Sequence, residues 1–298
     1  MSRLVVVPVT RDEPTRLLGD VEQDGGRLRD HEAVVVDDRH LMERAKPSVG
    51  VTVEIAGGLV ERVKAVLEPH FFERGISVNV RARLARMLKV YGFARVNKGA
   101  HGNTRDLRVL WALEEMGLRY EIVGMDHPNH DLDSPAYRAL NPFGQIPVID
   151  DDGVVVSESG AILLYLARKS GKLMPRELAG EAQVLRWCFT ALTTIELPLL
   201  SLWFVNLSGG KGHKPSDALN GWSEMRLKQL DGWLAQREFI ATNDFTVADI
   251  LMCHVLDAGT RSEMLAPLPN LLAYRTRCTA RPAWQKTVDA YRARVEAV

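Results

Sequence analysis

The sequence predicts a small α/β unit with a mixed sheet, followed by an all-helical block. Three observations lead to this prediction. Residues 88–169 follow the order strand, helix, strand, hairpin and helix, which is typical of a small α/β unit. After residue 177 the apolar pattern has helical periodicity and contains no convincing strand. The composition, with 46% hydrophobic and 26% charged residues, is that of a globular protein.

In the first block, short apolar runs bounded by turn-forming residues predict the strands, and a longer apolar run predicts a helix that ends at Gly117. The sequence Asp-Asp-Asp-Gly at 150–153 predicts the turn of the hairpin. The predicted strands cover residues 88–93, 120–123, 146–149 and 154–156, and the predicted helices cover residues 104–116 and 157–169.

Residues 171–177, which contain a glycine and a proline, are predicted to link this unit to the helical block at 178–298. Within the helical block, Thr246 followed by Asp249 predicts a capping box at the start of one helix, and its role is structural. The predicted helices cover residues 179–207, 217–237, 246–259, 271–279 and 283–296.

The first 86 residues form a leader of different character, because all Trp and Tyr residues lie downstream of it. Val-rich runs at 4–9, 33–36 and 49–55 predict short strands, and residues 59–67 predict an amphipathic helix. Two interpretations are open. The leader is either a small β-containing appendage or an extension upstream of a functional start at Met87, and we favour the second.

Charge and cysteine content exclude several functional classes. The 38 basic residues balance the 38 acidic residues, so neither nucleic acid nor an anionic membrane surface is an expected partner. Glu196 and Pro198 split the longest apolar stretches, so no transmembrane segment is expected. Three widely spaced cysteines are typical of reduced thiols in the cytoplasm, and the lack of a Cys-x-x-Cys motif excludes dithiol redox chemistry.

No metal site is predicted. The loop at 126–131 carries His127 and His130 between aspartates, but a metal site needs further ligands that this stretch of sequence lacks. We therefore interpret it as a solvated loop.

Pro147 lies just inside a predicted strand, where a proline removes a hydrogen-bond donor. One interpretation is a turn that enters an edge strand. The other is a cis peptide at Ile146–Pro147, which would turn the backbone of Ile146 outward to pair with an extended peptide ligand.

Glu158 and Ser159 open a predicted helix. Residues of these types in a first helical turn are commonly caps. The free N–H groups of a helix start also bind carboxylates, and Glu158 could accept a hydrogen bond from an ammonium group. The α-amino acid end of a peptide carries both groups.

Four motifs, in this order, together resemble the cytosolic glutathione S-transferase family of bacterial type: RVLWALEEMGL, NPFGQIPVI, SESGAILLYLARK and FTVADI. The resemblance covers about residues 87–290. It implies a thioredoxin-like N-terminal domain, an all-α C-terminal helical bundle, a homodimer and a cytoplasmic role in detoxification. It also implies glutathione as co-substrate, with no further cofactor.

The same resemblance implies a glutathione site. Pro147 is similar to the family's cis-proline, Ile146 to the residue whose backbone holds the cysteinyl part, and Glu158 with Ser159 to the pair that holds the γ-glutamyl end. Gln145 would lie near the other end of the tripeptide.

The family's catalytic position falls near Asn103 and Thr104. No Ser or Cys occurs between residues 91 and 110, so the sequence departs from the serine and cysteine classes. A hydroxyl or amide at a helix start can stabilise a thiolate. Thr104 is the first candidate and Asn103 the second, although both would also serve as a plain N-cap and its neighbour.

The resemblance predicts a transferase that activates the glutathione thiol for attack on an apolar electrophile. Two alternatives remain open: a non-catalytic protein-interaction module with this fold, and a glutathione-dependent peroxidase or disulfide reductase.

Overall fold

The computed structural model describes residues 51–56, 78–83, 87–259 and 262–298. The chain divides into two units, Met1–Arg86 and Met87–Val298. In the first unit, β1 (Val51–Ala56) pairs in parallel with β2 (Val78–Arg83). The strand predicted at 49–55 is therefore found, whereas β2 was not predicted. The runs at 4–9 and 33–36 and the helix at 59–67 lie outside the described residues.

The second unit begins with a mixed sheet, as predicted. Its strand order is β4-β3-β5-β6, with β3 parallel to β4 and antiparallel to β5. The elements are β3 (Leu88–Val96), α1 (Asp106–Met116), β4 (Tyr120–Asp126), α2 (Pro135–Leu140), β5 (Val148–Asp151), β6 (Val154–Ser157) and α3 (Ser159–Ser170).

Helix α1 lies at the centre of this unit. Nine of its eleven residues are buried, and it packs against helix α3 and against two helices of the following block. It ends at Gly117, whose φ of 67° is the left-handed conformation that glycine adopts without strain. The ring of Trp111 lies 4.7 Å from that of Trp284, so the two blocks share a hydrophobic core.

Two predicted helix starts are wrong by two residues. Helix α1 begins at Asp106 because residues 104–107 form a turn, which the Leu107 N–H closes by donating to the Thr104 carbonyl. Helix α3 begins at Ser159 because Ser157 pairs with Val148 in the sheet. In both cases a residue of a type that commonly caps helices, Thr104 or Ser157, belongs to the segment before the helix.

The remainder is helical, apart from one short strand. The elements are α4 (Leu178–Phe189), a π-helical segment (Thr190–Ile195), α5 (Glu196–Val205), a second π-helical segment (Asn206–Gly210), α6 (Lys214–Leu234), α7 (Val247–Gly259), α8 (Ser262–Leu265), α9 (Pro269–Thr279), α10 (Pro282–Arg294) and β7 (Glu296–Ala297). The prediction that the last helix continues to Glu296 with no strand is wrong, because β7 pairs with the end of β3.

Residues Leu178–Gly210 form one helical stretch of 33 residues, in which the backbone is non-helical at Gly209. The stretch confirms the single helix predicted at 179–207, which continues through Pro198 after a π-helical segment. By length and composition alone this stretch could cross a membrane. A core helix of a soluble protein meets the same criterion, and this one packs against α6 and α7.

One half of the predicted capping box is present at the start of α7, since the Asp249 N–H donates to the Thr246 carbonyl and not to its hydroxyl. The Asp249 carboxylate accepts hydrogen bonds from the Thr246 N–H at 2.8 Å and the Thr246 hydroxyl at 3.0 Å. It also accepts from the Ile240 N–H at 2.8 Å and from the Tyr274 hydroxyl at 3.0 Å. Asp249 therefore joins the start of α7 to the preceding loop and to α9.

Candidate functional site

The peptide bond between Ile146 and Pro147 is cis, as the second of the two interpretations of this proline predicted, and the pairing of the Ile146 backbone with a ligand stays a prediction. Both residues are buried, and β5 begins at the next residue. Val148 pairs with Ser157 in the antiparallel hairpin. This register brings the cis peptide beside the Glu158–Ser159 step.

The loop before the cis peptide is held by two side chains that sequence reasoning missed. The Tyr137 hydroxyl and the Asn141 side-chain amide both donate to the Gln145 carbonyl at 2.8 Å. Asn141 also accepts from the Phe143 N–H at 3.1 Å, which is the local turn that an Asn-Pro sequence favours. The Gln145 side chain is exposed, so this loop presents it to solvent.

Glu158 has a φ of 68° and a ψ of 117°, a conformation that is costly for a residue with a Cβ. Its side chain is exposed and caps no helix. Ser159, the next residue, is buried, and its hydroxyl accepts a hydrogen bond from Arg108 Nη1 at 3.1 Å. The step thus directs an acidic side chain to solvent at a helix start, where N–H groups lack helical partners.

Asn103 and Thr104 lie in the turn before α1, in different surroundings. Thr104 is buried, and its hydroxyl donates to the Tyr291 hydroxyl at 2.8 Å. Asn103 is exposed. Neither residue caps α1, whose N-cap is Arg105. Asn103 can therefore present its side chain to a ligand as the structure stands. Thr104 could do so only if its surroundings changed.

Arg108, on the first turns of α1, connects four elements. Its guanidinium is 1% exposed and donates to Glu196 of α5 at 2.8 Å, to His254 Nδ1 of α7 at 3.1 Å and to Ser159 of α3. Arg105 donates to the same Glu196 carboxylate at 3.1 Å. The candidate ligand-binding residue Ser159 is thus fixed by a buried cation that sequence reasoning did not single out.

Burial and the two arginines determine the charge states of Glu196 and His254. Burial alone would raise the pKa of Glu196, but Arg108 and Arg105 together lower it below its ordinary value. Burial, followed by the positive charge of Arg108, lowers the pKa of His254 well below its ordinary value. His254 is therefore neutral at physiological pH, as required for Nδ1 to accept a hydrogen bond from Arg108.

Within the described part of the chain, no group of three or more His, Cys, Asp or Glu side chains could hold a metal ion. Side chains of the loop at 126–131 bind within the loop and to the residue that follows shortly after it. Asp131 accepts from the Asp126 N–H at 2.8 Å, and the His130 ring contacts Asp133 at 3.1 Å.

The geometry can therefore accommodate an extended ligand with an amino-acid head. The cis peptide lies beside an exposed acid, a helix start and a buried guanidinium, and the start of α1 is joined to the start of α3 through Arg108 and Ser159. An ammonium group fits the acid, whereas a carboxylate fits the helix start.

Comparisons with known proteins identify the family of the chain. Residues 107–169 match the glutathione S-transferase N-terminal domain, and residues 211–282 match the C-terminal domain of the same family. Glutathione S-transferase 3 of Schizosaccharomyces pombe is 31% identical over 204 residues, which are 61% of this chain and 81% of that protein.

Two solved structures have a similar fold. One is a glutathione transferase family member from Pseudomonas fluorescens with two glutathione bound; it has a TM-score of 0.61 and 26% identity, and the match covers 70% of this chain and 94% of that one. The other is a glutathione transferase from Pseudomonas putida with one glutathione disulfide bound per subunit; it has a TM-score of 0.59 and 26% identity, and the match covers 68% and 90%. The thioredoxin-like domain followed by a helical domain is thus confirmed, and the chain belongs to the glutathione S-transferase family of enzymes.

Proposed function

We propose that the chain binds glutathione beside the Ile146–Pro147 peptide and activates its thiol for attack on an electrophilic, apolar second substrate. Glutathione is the co-substrate, and the proposal invokes no further cofactor. The observation that carries it is the cis peptide next to the Glu158–Ser159 step, since together they match an extended peptide with an amino-acid head.

In this proposal the γ-glutamyl end binds at the start of α3. The exposed Glu158 carboxylate accepts from the ligand ammonium, while the Ser159 hydroxyl and the first N–H groups of α3 donate to the ligand carboxylate. The buried Arg108 guanidinium adds a positive charge behind Ser159, which favours the carboxylate further. The backbone of Ile146 pairs with the cysteinyl part, and Gln145 lies toward the other end of the tripeptide.

The thiol lies near residues 97–104, which we name the thiol loop. Because the Thr104 hydroxyl is bonded to Tyr291, we assign the exposed Asn103 amide as the first donor to sulfur and Thr104 as the second. The sulfur loses its proton to solvent, and the electron pair of the thiolate then forms the bond to the electrophilic carbon. The leaving group departs with the electrons of the broken bond.

Replacing Glu158 by alanine is expected to weaken glutathione binding at least about tenfold, because a charge-assisted hydrogen bond contributes about 1.5–3 kcal/mol. Ser159→Ala is expected to act in the same direction. Isothermal titration with glutathione measures both. Glu177→Ala is the matched control, since Glu177 is also a helix N-cap residue whose side chain makes no capping bond.

Equal affinity of all four proteins for glutathione would contradict the site assignment. A second assay, which measures how fast a generic electrophile consumes the glutathione thiol, then distinguishes a transferase from a non-catalytic module. Retention on immobilised glutathione without thiol consumption would favour the non-catalytic module over the transferase.

We also propose that the chain is a cytoplasmic homodimer. Its three cysteines are free and buried, as expected in a reducing compartment. The helical stretch Leu178–Gly210 exposes large apolar side chains that a second copy would cover. A monomeric mass in sedimentation equilibrium would contradict the dimer. The apolar side chains that the stretch Leu178–Gly210 exposes, each by more than half, are Leu178, Phe189, Leu197, Trp203, Phe204 and Leu207.

A further inference from the structure

The thiol loop contains a short 3-10 turn and backbone hydrogen bonds between its own residues, such as that from the Asn103 N–H to the Ala100 carbonyl at 3.0 Å. Residues 97–100, 102 and 103 are exposed, and Gly99 and Gly102 allow the backbone wide conformational freedom. Donors to a thiolate nevertheless have to be placed within about 0.5 Å of their productive position. The local hydrogen bonds shape the loop but do not attach it to the rest of the fold, so the contacts that fix its position come from another part of the chain.

Residues 291–298, which we name the C-terminal clamp, supply these contacts at both ends of the loop. At its first residues, the Lys98 N–H donates to the Val298 carbonyl at 3.0 Å, and the Val298 N–H donates to the Val96 carbonyl at 2.9 Å. At its last residue, the Thr104 hydroxyl donates to the Tyr291 hydroxyl.

The clamp also contacts the middle of the loop. His101 Nε2 donates to the Val295 carbonyl at 3.1 Å, and the His101 ring lies 5.4 Å from the Tyr291 ring. The loop is thus fixed at three points by one segment that is nearly 200 residues distant in sequence.

Strand β7 of the clamp occupies a specific place in the sheet. Arg95 pairs with Asp126 of β4 and also with Glu296 of β7, so β7 lies on the side of β3 opposite β4. Strand β5 lies on that same side but ends its pairing at Tyr91. Strand β7 therefore completes the edge of β3 immediately before the thiol loop.

Arg294 gives the clamp an electrostatic role as well. It donates to the Phe93 carbonyl, and its guanidinium lies 4.0 Å from the buried Asp106 carboxylate. Burial raises the pKa of the Asp106 carboxyl at the first residue of α1, and the positive charge of Arg294 counteracts that rise.

We propose that residues 291–298 are a positioning element that holds Asn103 and Thr104 in the geometry needed to stabilise the glutathione thiolate. This inference rests on the proposed function. Tyr291 is its central positioning residue, since its hydroxyl binds Thr104 and its ring contacts His101.

The test uses the full chain and two matched pairs of variants. Tyr291→Phe removes the hydroxyl bound to Thr104, whereas Tyr274→Phe removes a buried hydroxyl that binds Asp249, away from the loop. Val298→Pro removes the N–H that donates to Val96, whereas Val298→Ala keeps it. Three quantities are measured for each variant: amide hydrogen exchange of the thiol loop, the pH profile of kcat/KM for the electrophile at saturating glutathione, and the KM for glutathione.

In Tyr291→Phe and Val298→Pro we expect faster exchange in the thiol loop and a bound thiol whose pKa is about one unit higher. At a pH below that pKa, kcat/KM would then fall about tenfold and recover as the pH rises. The KM for glutathione should change less than about twofold, because the γ-glutamyl site is untouched. Tyr274→Phe and Val298→Ala should match wild type in all three readouts.

Wild-type exchange and a wild-type pH profile in both Tyr291→Phe and Val298→Pro would overturn the proposal. So would an equal change in Tyr274→Phe, because the effect would then follow general stability. If the wild-type protein neither binds glutathione nor consumes thiol, the proposed function fails and the positioning role fails with it. If the wild type is active and the variants do not differ from it, the positioning role of the clamp is refuted, while the proposed function stands.

Discussion

Replacing Arg108 by methionine is expected to lower the free energy of unfolding by about 3–5 kcal/mol. The substitution leaves the largely buried Glu196 carboxylate with Arg105 as its remaining arginine partner, and it removes the donor to His254 Nδ1. Urea denaturation at neutral pH measures the loss. Because Arg108 also donates to Ser159, glutathione affinity should fall in the same variant.

Arg105→Met is the control for this prediction. Arg105 pairs with the same carboxylate but is 37% exposed, so its removal should cost less than about 1 kcal/mol. Replacing Glu196 by leucine together with Arg108→Met should recover part of the loss, since the unpaired buried charge is then gone. If Arg108→Met and Arg105→Met lowered the free energy of unfolding equally, the prediction would be contradicted, because burial of the Arg108–Glu196 pair would then make no difference.

Asp249→Ala is expected to destabilise the helical domain by at least about 3 kcal/mol. Its carboxylate accepts four hydrogen bonds from buried or partly buried donors, and unsatisfied buried donors cost about 1–3 kcal/mol each. Thermal and urea unfolding both report this loss.

Two companion variants sharpen the result. Asp249→Asn keeps one carbonyl oxygen as acceptor and should lose about half as much stability as Asp249→Ala. Asp289→Ala removes an exposed carboxylate from α10 and should change stability by less than about 0.5 kcal/mol. A loss in Asp249→Ala no greater than that of Asp289→Ala would contradict the structural role of the capping motif.

Much of the candidate site was predictable because its signals are local. Pro147 made a cis peptide one of two local possibilities, and the structure has the cis form. The spacing of Thr246 and Asp249 predicted the bond from the Thr246 N–H to the Asp249 carboxylate. The turn at 150–153 was predictable for the same reason, since Asp152 and Gly153 both adopt a positive φ that such a two-residue hairpin turn requires.

Errors arose where a local signal competed with a distant partner. Thr104 has the residue type of an N-cap, but its hydroxyl is bonded to Tyr291 and the helix starts later. The end of the last helix was extended too far, because nothing in residues 295–298 indicates a strand until β3 provides the edge to pair with.

The sequence by itself determined the two-block architecture and most of the order of the elements, since hydrophobic periodicity and turn chemistry act over a few residues. Only the tertiary structure decided which side chains hold the site together. Arg108 meets Glu196 and His254 across 88 and 146 residues, and Thr104 meets Tyr291 across 187. Contacts over such separations depend on how the helices pack, and packing is a property of the whole core.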